Sequence, residues 1–326
     1  MADLSKDLPL TFRIAEPSDF DEIIRLSNEV FPSGNDYLQH KINKWLQMNN
    51  LAMLLAFVDE KLVGLQACFI VDEGQTFVRQ AMRFAPDLQG RGLSRKLSQA
   101  MDAYVRKNFP SVRRLRFSNY VYREYSSTTK MVLELDKLGY RVEHLPLDPH
   151  MPCSVKNSEL VSCSKKYFSE VILSRAFSHK LFPLNVLIVD WCPFEALCSN
   201  IDYILQDDDL LLTERCDEYE MPRSFSFGRL SPKAKVKVWI VSVYTDDPRL
   251  FEAHVIQQYY DACKIIKEEF TFVSFHDKGL RNLGKKTLEE KLNLQHDEFY
   301  MNESLFLYER DFGMIDSGDV CEGKQL

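Results

Sequence analysis

At 326 residues the chain exceeds what one compact core usually takes, so two domains are expected. Its 45% hydrophobic and 27% charged residues exclude a mainly disordered chain, a collagen and a disulfide-dense miniprotein. The net charge of −7 argues against a nucleic-acid partner held by a broadly basic surface. The residues after Met1 lack the apolar core of a signal peptide, and the longest clean apolar run, 51–58, is too short to span a bilayer. No membrane partner is therefore expected. Eight cysteines are scattered without a C-x-x-C pair, which fits buried or surface thiols in a reducing compartment, the cytoplasm.

The first 145 residues alternate between strand-like and helix-like segments. Residues 11–15 read as a strand, and a helix follows the Pro17-Ser18-Asp19 turn with Phe20, Ile23, Ile24 and Leu26 as its apolar stripe. After the loop signal at 31–35, helical spacing resumes over 37–48 through Leu38, Ile42, Trp45 and Leu46. Strands at 52–58 and 62–71 are joined at hairpin length, and a third at 76–84 runs into Ala85-Pro86-Asp87. Then come Gln89-Gly90-Arg91-Gly92, a helix over 93–107 and a strand over 113–118. A helix over 127–138 ended by Gly139, and a last strand over 140–145, complete this half.

Clustered prolines at 146, 149 and 152 mark the boundary. The expected division is a first domain over 10–145, a linker over 146–164, a C-terminal lobe over 165–312 and a flexible tail over 313–326. The second half repeats a similar order: strands at 186–190, 210–213 and 235–243, a helix over 247–269, a strand at 271–275, a helix at 283–291 and a strand at 304–308.

The informative stretch runs from Arg83 to Ser94. A strand ends, a tight loop carries Gly90 and Gly92, and a helix begins at once. These glycines permit backbone conformations closed to residues with a Cβ, so successive N–H groups can converge on an anion at a positive helix end. A pyrophosphate suits that geometry; a plain glycine-rich strand-to-helix turn is the alternative. This stretch, the element order around it and Leu138-Gly139-Tyr140 resemble the GNAT acetyltransferase superfamily. Asp36-Tyr37-Leu38, Trp45-Leu46, Asp72-Glu73-Gly74-Gln75-Thr76 and Arg83-Phe84-Ala85-Pro86 resemble its histidine N-acetyltransferase group. A dinucleotide-binding Rossmann domain fits worse, because three strands precede the loop and no early G-x-G-x-x-G exists.

The resemblance implies an α/β GNAT fold, a mixed, splayed central sheet flanked by helices, followed by a second, degenerate GNAT-like lobe. It implies an acetyl-CoA co-substrate, with the backbone of Met82 and Phe84 along the pantetheine arm and Gln89, Gly90, Arg91, Gly92, Leu93 and Ser94 at the pyrophosphate. Arg91 and Arg95 add charge there or are only solvated. Two departures stand out. Ser94 occupies a position usually Gly or Ala, and Leu135 stands where many members place a tyrosine acid.

Direct transfer from the thioester to an amine needs a proton acceptor, a donor for the oxyanion and a proton for the thiolate. Glu73 is the expected base, or else a solvated turn residue. Asp36 and Tyr37 contact the substrate, or else cap and pack a helix; Gln80 faces the same region. Tyr122 and Tyr125 stand in for the missing acid, or else are core or surface residues. The histidines show no H-x-x-x-H spacing and no G-x-S-x-G elbow exists, so neither a metal nor a serine nucleophile is expected. In the second half Tyr244-Thr245-Asp246-Asp247-Pro248 replaces the glycine loop, and two acids there repel phosphate. The expected function is acetylation of a small-molecule amine, with free L-histidine the acceptor implied by resemblance. The alternatives are a protein N-terminal or lysine acetyltransferase and a CoA-binding regulatory protein.

Overall fold

The computed structural model describes residues 8–125, 128–143, 159–216, 221–300 and 304–313. Its first half runs β1 (Thr11–Ile14), α1 (Phe20–Val30), α2 (Leu38–Trp45), β2 (Leu51–Val58), β3 (Lys61–Val71), β4 (Thr76–Phe84), α3 (Leu93–Asn108), β5 (Arg114–Asn119) and β6 (Thr129–Val142). The second half opens with β7 (Leu160–Ser162), α4 (Lys165–Tyr167), α5 (Arg175–Leu181), the hairpin β8 (Val186–Val189) and β9 (Cys192–Glu195), and α6 (Ile201–Ile204). It continues through β10 (Leu210–Glu214), β11 (Phe225–Pro232), β12 (Lys237–Tyr244), α7 (Pro248–Ile265) and β13 (Phe270–His276). It ends with α8 (Arg281–Lys286), the short β14 (Gln295–His296) and β15 (Ser304–Asp311).

One mixed sheet carries both halves, in the order β1-β2-β3-β4-β5-β15-β6-β13-β12-β11-β10-β7. The parallel pair β4/β5 with α3 between them in sequence is repeated by the parallel pair β12/β13 with α7 between them. The last strand, β15, inserts between β5 and β6, so segments 10–145 and 165–312 share a sheet instead of owning one each. Most of the expected linker, and the tail beyond 313, lie outside the described residues. Leu160–Ser162 of that linker is a strand paired with β10.

Apolar patterning explains the layering. Nearly every residue of β3 is buried because both of its faces are covered, by α1 and α2 on one side and by α3 on the other. The β8–β9 hairpin lies on the same face as α1 and α2, while α7 joins α3 on the opposite face. Among the described residues no helix is long and apolar enough to cross a membrane.

The expected helix over 127–138 is corrected: from Thr129 this segment is the long strand β6, running on through Gly139 and Tyr140. Charged residues interleaved with leucines imitate a helical face, but here Asp136 and Lys137 are buried inside the sheet. Asp136 is held by Arg281 and faces His276, so its charge has partners. Gly139 does not end a helix. A Cβ there would run into the Tyr300 side chain, so glycine is required by close approach. The sequence also gave no sign of β7, β9 or β11, which are short or interrupted by Gly and Pro.

Candidate active site

The site is organised by the far end of β4. Opposite Gln66 of β3, β4 carries one extra residue, and Ala81 takes the left-handed conformation at φ 57°. A bulge of this kind removes a peptide from the ladder and bends the strand, at a local cost of about 1 kcal/mol or more. Beyond Val78 the β4–β5 pairing stops, so the two strands diverge. The gap leaves the β4 backbone around Ala81 and Met82 without a strand on that side, and Met82 is 37% exposed. Phe84, by contrast, is buried against Gly64, where any Cβ would meet its ring.

The glycine loop closes one end of this gap. Gln89 donates from Nε2 to the Phe84 carbonyl at 3.0 Å, tying loop to strand. Gly90 (φ 76°) and Gly92 (φ 73°) are both left-handed, and Gly92 is the residue that opens α3. A Cβ on either glycine would meet nothing within 4 Å, so the space above the loop is open. The first N–H groups of α3 have no intrahelical carbonyl to reach, and the helix end is positive. Met82, Arg83, Phe84, Gln89, Gly90, Gly92, Leu93, Ser94 and Arg123 line a cavity of about 270 Å³ here. The Leu93 side chain is buried in the core cluster beneath α3.

On the opposite face, a buried charge cluster sits over the same end of β4. Arg83 is 3% exposed, pairs with Asp36 and donates from Nη1 to the Ala81 carbonyl at 3.0 Å, bracing the bulge. Phe31 and Tyr37 each flank its guanidinium at 5.2 Å. Lys41 of α2 pairs with Asp190 in the β8–β9 turn. Burial works to raise the Asp190 carboxyl, but Lys41 and Lys233 outweigh it and hold it well below the ordinary range. Lys233 is buried, donates to Ser231 at 3.0 Å and is pushed down to about 8, chiefly by burial. The turn that carries it grips the α1–α2 loop through backbone bonds: Ala234 N–H to the Asp36 carbonyl at 2.9 Å and Lys235 N–H to the Gly34 carbonyl at 3.0 Å.

The sequence-derived residues divide accordingly. Met82, Phe84, Gln89, Gly90, Gly92, Leu93 and Ser94 come together around one cavity, while Arg91 and Arg95 are exposed beside it. Gln80 is half-buried next to the bulge. Asp36 accepts from the Leu38 N–H at 3.2 Å and from Arg83, and Tyr37 packs on Trp45, so both hold the α1–α2 loop in place. Glu73 stands apart from these residues. It lies in the β3–β4 turn at φ 58°, exposed, and lines a separate cavity with Arg114, His179 and Glu195. Eight residues of mostly extended chain separate it from Ala81, roughly 25 Å. Its neighbour Asp72 is buried on Asn200 and Arg116, a structural contact between the halves.

Tyr122 and Tyr125 are half-exposed and pack edge-on against Phe306 and against Phe117 and Tyr308. They flank Arg123, which lines the cavity and was missed in the sequence. Leu135 is buried in β6 and offers no acid. Lys41, Lys233, Asp190 and Lys137 were also missed, since only folding brings them to the site. Among the described residues no group of three or more His, Cys, Asp or Glu is placed to hold a metal.

At the start of α7, where the second half could repeat the glycine loop, the Asp247 side chain accepts the Arg249 and Leu250 N–H groups at 2.9 and 3.3 Å. That helix end is already occupied by a carboxylate of the chain itself.

Comparisons with known proteins agree with this geometry. Residues 20–122 match the Acetyltransferase (GNAT) family, and residues 156–277 match the family described as Histidine N-acetyltransferase, C-terminal. A histidine N-acetyltransferase of Scomber australasicus is 28% identical over 218 residues, covering 61% of this chain and 63% of the relative. The match thus spans less than two thirds of that relative's length. In fold, the chain resembles a tandem GNAT protein from the clavulanic acid biosynthesis pathway, with a TM-score of 0.58 at 10% identity over 94% of this chain and 100% of that one. It also resembles Saccharomyces cerevisiae N-myristoyltransferase with bound myristoyl-CoA, with a TM-score of 0.56 at 12% identity over 93% and 79% of the two chains.

Proposed function

From a chain of the GNAT superfamily, similar to the histidine N-acetyltransferases, we propose an enzyme that moves the acetyl group of acetyl-CoA to the α-amine of a free amino acid, with L-histidine the first acceptor to test. The observation that carries this reading is the divergence of β4 and β5 beyond Val78, with the open glycine loop at one end. The pantetheine arm of the thioester lies along the free β4 backbone at Met82 and Phe84, and the pyrophosphate meets Gly90 to Ser94. The N-myristoyltransferase neighbour, which holds a myristoyl-CoA, supports a CoA thioester as the guest.

The reaction follows from that placement. The neutral amine attacks the carbonyl carbon, the new N–C bond forms, and the C–S bond breaks as thiolate leaves. The peptide freed by the bulge at Ala81 is aimed at the developing oxyanion. Tyr122, beside Arg123, supplies the thiolate's proton. An α-amine titrates near 8 in a peptide and roughly a unit higher in a free amino acid, so solvent water suffices as its proton acceptor near neutral pH. The grip of the Lys233–Lys235 turn on the α1–α2 loop narrows the acceptor side and favours a small molecule over a protein chain. The described cysteines being free thiols supports residence in the cytoplasm.

Thioester consumption with a panel of free amino acids and N-terminal peptides tests the reading. Turnover on L-histidine is expected; turnover on peptides alone would replace it with a protein acetyltransferase.

A further inference from the structure

Lys137 is 3% exposed, yet its ammonium makes no hydrogen bond or ion pair with any described residue. Its Nζ faces three rings instead: Trp191 at 5.4 Å, Tyr300 at 5.5 Å and Tyr120 at 5.8 Å from the ring centroids. Those rings come from the β8–β9 turn, the segment ahead of β15 and the chain leaving β5. Aromatic faces at such distances return less than burying an unpaired ammonium costs. Burial accordingly pushes its titration down to about 8. Among the described residues it has no partner of opposite charge.

The position of the box says where that partner comes from. Tyr120 follows directly on β5, one wall of the gap beside β4, and is 53% exposed, so this wall of the box lies at the surface. Ser118 of β5 donates to the Trp191 carbonyl at 2.6 Å, which fixes the β8–β9 turn to that wall. The residue before Trp191 is Asp190, already engaged by Lys41. On this face the cations Arg83, Lys41, Lys233 and Lys137 outnumber the carboxylates Asp36 and Asp190 by two. A site with buried positive charge in excess selects an anion.

We propose that Lys137, in the Tyr120–Trp191–Tyr300 box, holds the carboxylate of the acceptor and so sets the preference for an amino acid over the corresponding simple amine. This rests on the acetyltransferase reading above. The rings flank the acceptor's side chain while the ammonium fixes its acid end, leaving the α-amine directed toward the β4–β5 gap.

The test uses the full chain with acetyl-CoA and two acceptors that differ only in the carboxylate, L-histidine and histamine. The wild type is expected to prefer L-histidine. K137M should lower kcat/KM for L-histidine on the order of 10–100-fold, through KM, as expected for loss of a charged hydrogen bond. Its histamine turnover and acetyl-CoA KM should stay within about threefold of wild type. Equal losses on both acceptors, or a wild type with no preference for the acid, would overturn the assignment. If the wild type acetylates neither, the acetyltransferase reading fails by itself. Calorimetric titration of the same two compounds then decides Lys137: carboxylate-dependent binding abolished by K137M sustains it, and identical binding of both compounds overturns it. K137Q serves where K137M does not fold.

Discussion

Gly92 carries the clearest single-residue requirement of the site. At φ 73° it opens α3, and open space lies where a Cβ would point, so a larger residue there disturbs the guest and the backbone but not the core. G92V is expected to weaken CoA binding at least about tenfold, with a thermal midpoint lowered only modestly. Calorimetry showing unchanged CoA affinity in folded G92V would move the pyrophosphate elsewhere. Glu73 is the opposite case, and E73Q is expected to retain near-normal turnover at pH 7, since the residue sits at the other end of β4. Lys137 links site and stability. Burial lowers it from 10.5 to about 8, so below pH 8 folded and unfolded chains are both protonated and the burial penalty stands in full. Between pH 8 and 10.5 the unfolded chain binds more protons, and the penalty fades as pH rises. K137M should therefore be more stable than wild type at pH 7, by about 3 kcal/mol at most, and lose most of that advantage by pH 10. Urea denaturation at the two pH values checks it; an advantage independent of pH would mean the lysine is not buried as a cation.

At the scale of elements, the turn between β11 and β12 grips the α1–α2 loop without lining the cavity beside the glycine loop. A234P removes the N–H that holds the Asp36 carbonyl and loosens the α1–α2 loop. The expected result is a rise of about 2–12-fold in acceptor KM with acetyl-CoA KM unchanged, read in steady-state kinetics. Parallel rises in both would mean that the turn supports the whole fold and not the acceptor side. The same contact shows which parts of the site could be read from the sequence. Strand, glycine loop and helix from Arg83 to Ser94 form a local unit, so spacing and conformational need were both visible. Arg83 with Asp36, Lys41 with Asp190, and Lys137 with Trp191 and Tyr300 join residues far apart in the chain, and no periodicity announces such pairs. β6 failed for a related reason. Its buried Asp136 and Lys137 face Arg281, His276 and three rings from distant segments, and without those neighbours in view the segment reads as an amphipathic helix.

The whole molecule depends on its last strand. β15 is hydrogen-bonded to β5 on one side and β6 on the other, joining the two halves through the middle of the sheet. Leu305, Leu307 and Tyr308 of this strand are each no more than 1% exposed. Burying three such side chains contributes about 5–9 kcal/mol, the size of a domain's entire net stability. The halves recognisable in the sequence are therefore coupled in folding, and a scan of the intact chain should show a single transition. Removing residues 304–326 strips that strand, leaves the facing edges of β5 and β6 unpaired and takes Leu305 and Leu307 out of the apolar cluster that holds Phe275. The truncated chain is expected to lose cooperative melting and CoA binding together. A chain ending at 303 that melted cooperatively and bound CoA with wild-type affinity would show that the β4–β5 gap and the glycine loop are held by the first half alone.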